Sequence, residues 1–192
     1  AGGTGSGKTF LARHYLAGFD YVVAYDTKGT LQWRELPGTV WATTEEEKEE
    51  FGEFGLIDGG GLVTVVEHLD ELPAARTPKI IYRPVWEELE QDYYEAFFKW
   101  VYKRRNTICW VDEAMSICNN PFDIPEYYKA ILTRGRELNT SVWSLTQRPS
   151  GIPQVIISEA RHFFVFNLNL EKDRKKIADI SGCKEFLEKP GK

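Results

Sequence analysis

The sequence predicts an α/β fold, a mostly parallel sheet with helices on both faces. Three observations predict it. Short β-branched and aromatic runs alternate with amphipathic segments along the chain. The runs are continuously apolar, as in strands covered on both sides. A glycine-rich stretch, Gly2–Thr9, leads directly into the first helical segment.

Lys8–Ala17 has helical spacing, with Phe10, Leu11, Tyr15 and Leu16 apolar. Tyr21–Tyr25 reads as a buried strand ended by Asp26-Thr27-Lys28-Gly29. Thr39–Ala42 reads as a brief strand, Glu45–Phe54 as an acidic helix and Gly59-Gly60-Gly61 as a turn. Leu62–Val66 fits a strand, and Leu62–Leu72 fits a helix equally well. Lys79–Arg83 is a strand closed by Pro84. Trp86–Arg105 has Trp86, Leu89, Tyr93, Phe97, Trp100 and Val101 at spacings of three and four, which predicts one amphipathic helix. Thr107–Val111 is a buried strand, Ile124–Leu138 a helix, and Thr140–Thr146 a strand stopped by Arg148-Pro149. Pro153–Glu159 is a short helix, His162–Leu168 a strand and Glu171–Ser181 a polar closing helix. No internal repeat or low-complexity linker interrupts the pattern, so residues 1–192 are expected to form a single domain.

Composition narrows the class. Hydrophobic residues make up 42% and charged residues 28%, which excludes a wholly disordered chain. No apolar run approaches the ~20 residues a membrane-spanning helix needs, and the sequence opens on no charged-then-apolar stretch, so no signal peptide is expected. Three cysteines form no CxxC, which favours a reducing, cytoplasmic setting. The three histidines are scattered and predict no metal site of their own. The net charge of −5 is uneven. Residues 43–95 carry 4 basic and 15 acidic groups, whereas residues 96–192 carry 16 basic and 11 acidic. A basic face on the C-terminal half is therefore compatible with an acidic protein.

Four stretches carry chemistry. Gly2-Gly3-Thr4-Gly5-Ser6-Gly7-Lys8-Thr9 fits G-x-x-x-x-G-K-[ST]. In such a loop the backbone N–H groups of Gly3, Thr4, Gly5, Ser6 and Gly7 converge on phosphate oxygens at a helix N-terminus. Lys8 reaches the β- and γ-phosphates, and the Thr9 hydroxyl ligates Mg²⁺. Ile108-Cys109-Trp110-Val111-Asp112-Glu113 delivers two carboxylates at the C-terminal end of a strand. Asp112 is expected to hold Mg²⁺, and Glu113 to polarise the water that attacks the γ-phosphate. Thr140–Pro149 ends its strand on Thr146 and Gln147, which by itself reads as a polar strand end before a proline turn and, beside the Asp112-Glu113 strand, could sense the γ-phosphate or align the water. Thr133-Arg134-Gly135-Arg136-Glu137 puts two arginines at a helix end, from which one can complete a neighbour's site. The same arginines also suit a solvated helix C-terminus.

Together these residues resemble the FtsK–HerA superfamily of P-loop ATPases. The resemblance rests on Gly2–Thr9, on Asp26-Thr27-Lys28-Gly29, on Asp112-Glu113, and on Arg134–Pro149 with its Gly-Arg and Thr-Gln-Arg-Pro elements. It implies a RecA-like core and hydrolysis of ATP with Mg²⁺. It also implies a homo-oligomeric ring, often of six subunits, around double-stranded DNA. By position, Lys8, Glu113, Gln147 and Arg136 become catalytic, with Arg136 as the arginine finger and Arg134 and Arg148 as its competitors. Residues 1–192 match the ATPase core without the extra domains of larger family members, which fits a fragment of something larger but favours a compact viral genome-packaging ATPase, expected to work in host cytoplasm beside a capsid or portal component. Lys103, Arg104, Arg105, Lys172, Arg174, Lys175 and Lys176 are the groups that could meet DNA backbone, with solvated helix ends the favoured reading. The rival reading is an ATPase for protein assembly or secretion, as in filamentous-phage assembly. A P-loop kinase is a further alternative, but it needs no water-activating glutamate and usually carries an arginine-rich lid. A P-loop follows a strand, so a short apolar strand is expected upstream of Ala1.

Overall fold

The computed structural model describes residues 1–31, 39–41, 54–57, 61–118 and 120–189. Its centre is a seven-stranded sheet in the order β2-β3-β4-β5-β1-β6-β7. The strands are β1 (Val22–Tyr25), β2 (Thr39–Trp41), β3 (Phe54–Ile57), β4 (Gly61–Val66), β5 (Lys79–Tyr82), β6 (Ile108–Val111) and β7 (Ser141–Ser144). β4, β5, β1, β6 and β7 form a parallel block. β2 and β3 extend it as an antiparallel edge. The helices are α1 (Lys8–Leu16), α2 (Gln91–Arg104), α3 (Glu126–Leu138), α4 (Gln154–Ser158) and α5 (Glu171–Ser181).

Strand alternation divides the core between two faces. Val23 and Tyr25 of β1, Ile80 and Tyr82 of β5, and Cys109 and Val111 of β6 face α2, α3 and α4. Val22 and Ala24 of β1, Ile81 of β5 and Trp110 of β6 pack on the other face with Ala12 and Leu16 of α1. Because the central strands are buried on both faces, their sequences are unbroken apolar runs. An aromatic cluster joins sheet to helices: Tyr25 meets Phe97 edge-on at 4.4 Å, and Phe98 stacks on Tyr128 at 4.4 Å. Among the described residues no helix is long and apolar enough to cross a membrane.

Several predicted elements change. The ambiguous run after Gly61 is strand β4, because it bonds β5 on one side and β3 on the other. Gly61 therefore opens a strand rather than closing a turn. Phe54 belongs to β3, while the rest of the predicted acidic helix and Gly59-Gly60 lie outside the described residues. The helix predicted from Trp86 begins at Gln91, and Trp86–Glu88 is a separate 3₁₀ turn. The buried carboxylate of Glu88 draws this turn aside, accepting hydrogen bonds from Leu69 N–H and the Tyr82 hydroxyl. Trp86 is left 83% exposed.

The predicted strand His162–Leu168 is extended chain without strand ladders. It bonds to residues 1–3 instead: Ala1 N–H donates to Phe164 O, Phe166 N–H to Ala1 O, and Gly3 N–H to Asn167 O. These bonds involve Phe164, Phe166 and Asn167, short of a continuous ladder.

Candidate functional site

The parallel strands all point their C-terminal ends to one edge, and the chemistry gathers there. The glycine loop reaches that edge through backbone bonds. Gly2 N–H donates to Thr146 O beyond the end of β7, and Gly3 N–H to Asn167 O. Gly5 and Gly7 have φ of +71° and +90°, a left-handed backbone that favours glycine. Two such residues fold the loop back on itself, and helix α1 starts at Lys8 immediately after it. Phe166 packs so closely that a Cβ on Gly2 would stand 2.6 Å from its Cβ.

Lys8 Nζ donates to Gly3 O at 2.7 Å, which folds its ammonium back over the loop. Burial lowers the Lys8 pKa; Lys28 lowers it further, while Glu113 and Asp112 pull it up. Thr9 Oγ1 donates to Asp112 Oδ1 at 3.0 Å. The Asp112 side chain is buried at the end of β6, and burial raises its pKa against the Thr9 hydrogen bond and the Lys28 charge.

Glu113 is 5% exposed. Its Oε1 accepts Gln147 N–H at 3.2 Å, and its Oε2 lies 3.1 Å from Lys28 Nζ. The Gln147 side chain reaches the loop, where its Oε1 accepts the Thr4 hydroxyl at 2.8 Å. Thr4, Lys8, Thr9, Asp112, Glu113 and Gln147 thus form one continuous constellation.

Lys28 joins that constellation although its sequence signal was only the resemblance of Asp26-Thr27-Lys28-Gly29. The turn carrying it is anchored by Asp26, which is fully buried. Asp26 Oδ1 accepts Thr30 N–H at 3.1 Å, and Oδ2 accepts Leu31 N–H at 2.9 Å and Arg83 Nε at 3.5 Å. Arg83 Nη2 also donates to Leu31 O at 2.6 Å. A lysine two residues beyond a strand-ending aspartate was the available clue.

Arg136 does not join the site within one chain. It is exposed in the last turn of α3, which leads into the start of β7. β7 (Ser141–Ser144) lies between that helix end and Gln147, and the six steps from Ser141 to Gln147 span up to roughly 20 Å. Arg134 is exposed on the same helix. Arg148 follows Gln147 at the site edge, where its Nε faces Asp173 Oδ2 at 3.7 Å.

The residues present fit an anion and a divalent cation. Ser6 Oγ and Thr27 Oγ1 are buried without a hydrogen-bond partner. A buried hydroxyl lacking a partner is costly unless a ligand supplies one. Among the described residues no three His, Cys, Asp or Glu cluster into a metal cage. Mg²⁺ does not require one, since it usually takes one or two protein ligands together with phosphate oxygens and water. Thr9 and Asp112 match that donor set.

Of the predicted DNA-contact groups, Lys103, Arg105, Lys172 and Lys175 are exposed. Arg104 donates to Pro78 O, Arg174 to Leu168 O, and Lys176 to Ile152 O, so these three brace the fold.

No family model matches this chain, and no curated protein matches it. Solved structures do. The genome packaging NTPase B204 from Sulfolobus turreted icosahedral virus 2, in complex with AMPPCP, aligns with a TM-score of 0.61 at 13% identity. That alignment covers 99% of this chain and 85% of the other. The same NTPase in complex with ATP-gammaS gives 0.60 at 13% identity, covering 100% and 85%. B204, the DNA-packaging ATPase from Sulfolobus Turreted Icosahedral Virus, gives 0.57 at 14%, covering 96% and 83%. At these identities the likeness is one of fold: the chain has the α/β fold of a P-loop NTPase.

Proposed function

We propose that this chain is a Mg²⁺-dependent ATPase that drives double-stranded DNA through a ring of identical subunits, in the manner of a genome-packaging motor. One observation carries the reading: Lys8, Thr9, Asp112, Glu113 and Gln147 converge at one sheet edge around the glycine loop. The likeness in fold to packaging NTPases solved with ATP analogues supports the choice of nucleotide and of process.

The loop N–H groups and Lys8 bind and orient the β- and γ-phosphates. Thr9 and Asp112 would hold Mg²⁺, which supplies charge neutralisation across the phosphate oxygens. Glu113 accepts a proton from the attacking water. The water oxygen forms a bond to the γ-phosphorus as the bond to the β–γ bridging oxygen breaks, and ADP leaves with that oxygen. Gln147, held between Thr4 and Glu113, registers whether the γ-phosphate is present. Arg136 is presented outward to a neighbouring subunit, whose site it completes as an arginine finger. Lys103, Arg105, Lys172 and Lys175 are the groups free to meet DNA phosphates.

Phosphate release from ATP, measured with Mg²⁺ in the presence and absence of linear duplex DNA, tests the reading. Mg²⁺-dependent turnover accelerated by duplex is expected. Turnover indifferent to DNA would redirect the assignment to a protein-assembly motor, and transfer of labelled phosphate to a small acceptor would redirect it to a kinase.

A further inference from the structure

Both oxygens of Glu113 are committed in this structure, one to Gln147 N–H and one to Lys28 Nζ. The Lys28 ammonium, 3.1 Å from Oε2, stands where a water would have to approach that oxygen. For Glu113 to act on water, Lys28 must first let go of Oε2.

Lys28 is built to do so. Its side chain is 35% exposed against 7% for Glu113, so the lysine is the more mobile partner. Its backbone is pinned by Asp26, Arg83 and the N–H groups of Thr30 and Leu31. Motion is therefore confined to a flexible side chain pivoting at a fixed point. Glu113 adjoins Asp112, whose Oδ1 accepts the Thr9 hydroxyl next to Lys8, so Lys28 borders the space between the glycine loop and the Asp112-Glu113 pair, where a γ-phosphate would sit.

We propose that Lys28 is a partner-exchanging positioning residue, paired with Glu113 while the site lacks a γ-phosphate and drawn to that phosphate when it arrives, which releases the glutamate to its water. This rests on the ATPase reading above. It adds a device that keeps Glu113 idle until the correct nucleotide is bound. ADP lacks the group that attracts Lys28, so the ion pair persists with ADP.

Affinities for a non-hydrolysable ATP analogue and for ADP, both with Mg²⁺, test this by calorimetry on wild type, Lys28→Met, Lys28→Arg and Glu113→Gln. Lys28→Met should lose about tenfold in affinity for the analogue and less than about twofold for ADP. Lys28→Arg should retain most of the discrimination. Glu113→Gln frees Lys28 in advance, so the analogue should bind it more tightly than wild type while ADP does not. This last measurement keeps the proposal open to failure even if Lys28→Met folds poorly. Equal loss for both nucleotides in Lys28→Met, or an unchanged analogue-to-ADP ratio in Glu113→Gln, overturns the exchange. A wild type that binds neither nucleotide overturns the ATPase reading and the exchange with it.

Discussion

The Thr4 hydroxyl donates to Gln147 Oε1 at 2.8 Å, tying the glycine loop to the tip of β7 across 143 residues of sequence. The link continues from Gln147 N–H to Glu113 and from Glu113 to Lys28. Thr4, Gln147, Glu113 and Lys28 are therefore one hydrogen-bonded chain. Thr4→Val removes its first bond while leaving Lys8 in place. A neutral hydrogen bond is worth about 1 kcal/mol, so kcat should fall about two- to tenfold with KM for ATP little changed. Steady-state kinetics check this, and an unaltered kcat would mean that Gln147 needs no support from the loop.

Lys8→Ala should abolish tight ATP binding, since it removes the cation that meets the phosphates. Glu113→Gln should keep binding and lose about 10²–10⁴ in hydrolysis, the usual worth of a positioned base. Normal turnover in Glu113→Gln would remove it from that role.

Arg136 stands exposed at the end of the sheet away from its own site. Arg136→Ala should bind ATP normally yet hydrolyse slowly at every protein concentration, since an arginine finger is worth about 10³–10⁵. Mixing it with Glu113→Gln should restore some turnover, because each chain supplies what the other lacks. If mixed rings form and remain inactive, Arg134 and Arg148 become the candidates.

Gly135 lies inside α3, where alanine ordinarily stabilises a helix by about 1 kcal/mol. Here an added Cβ would stand 2.2 Å from the Thr140 carbonyl oxygen, while Thr140 N–H donates to Gly135 O at 2.8 Å. The backbone on both sides is committed, so Gly135→Ala should destabilise by about 1–3 kcal/mol. Thermal melting should show a drop of about 2–4 °C per kcal/mol lost. A higher Tm would show that the turn after α3 yields easily.

Burial pushes the Cys118 thiol up to about 12 and the buried Cys109 thiol higher still. Cys183 is partly exposed, and its Sγ donates to Glu185 Oε2 at 3.0 Å, which raises its pKa. A raised thiol pKa leaves less thiolate at pH 8 than a free cysteine has, and the fraction grows as pH rises. A thiol reagent should therefore label Cys183 alone in the native protein, slowly at pH 8 and faster above it. Glu185→Ala should speed the reaction at pH 8, and rapid labelling of a second thiol would contradict the burial of Cys109 and Cys118.

Local pattern sufficed for the parallel core and for naming most of the residues that meet at the candidate site. Val22–Tyr25, Lys79–Tyr82 and Ile108–Val111 announce themselves because strands buried on both faces must be apolar at every position. The glycine loop and Asp112-Glu113 stand out by residue type and spacing within a few positions of one another, and the fold brings them to one sheet edge. Three features depended on contacts that no window of sequence contains. The strand or helix choice at 61–66 was decided by hydrogen bonds from β3 and β5. The late start of α2 was decided by the burial of Glu88 against Leu69 and Tyr82. The place of Lys28 beside Glu113 was decided by adjacent strands, β1 and β6, whose ends meet only when the sheet assembles. Residue type and spacing report the local backbone. Which side chain neutralises which charge is a property of strand order, and strand order exists only in the folded sheet.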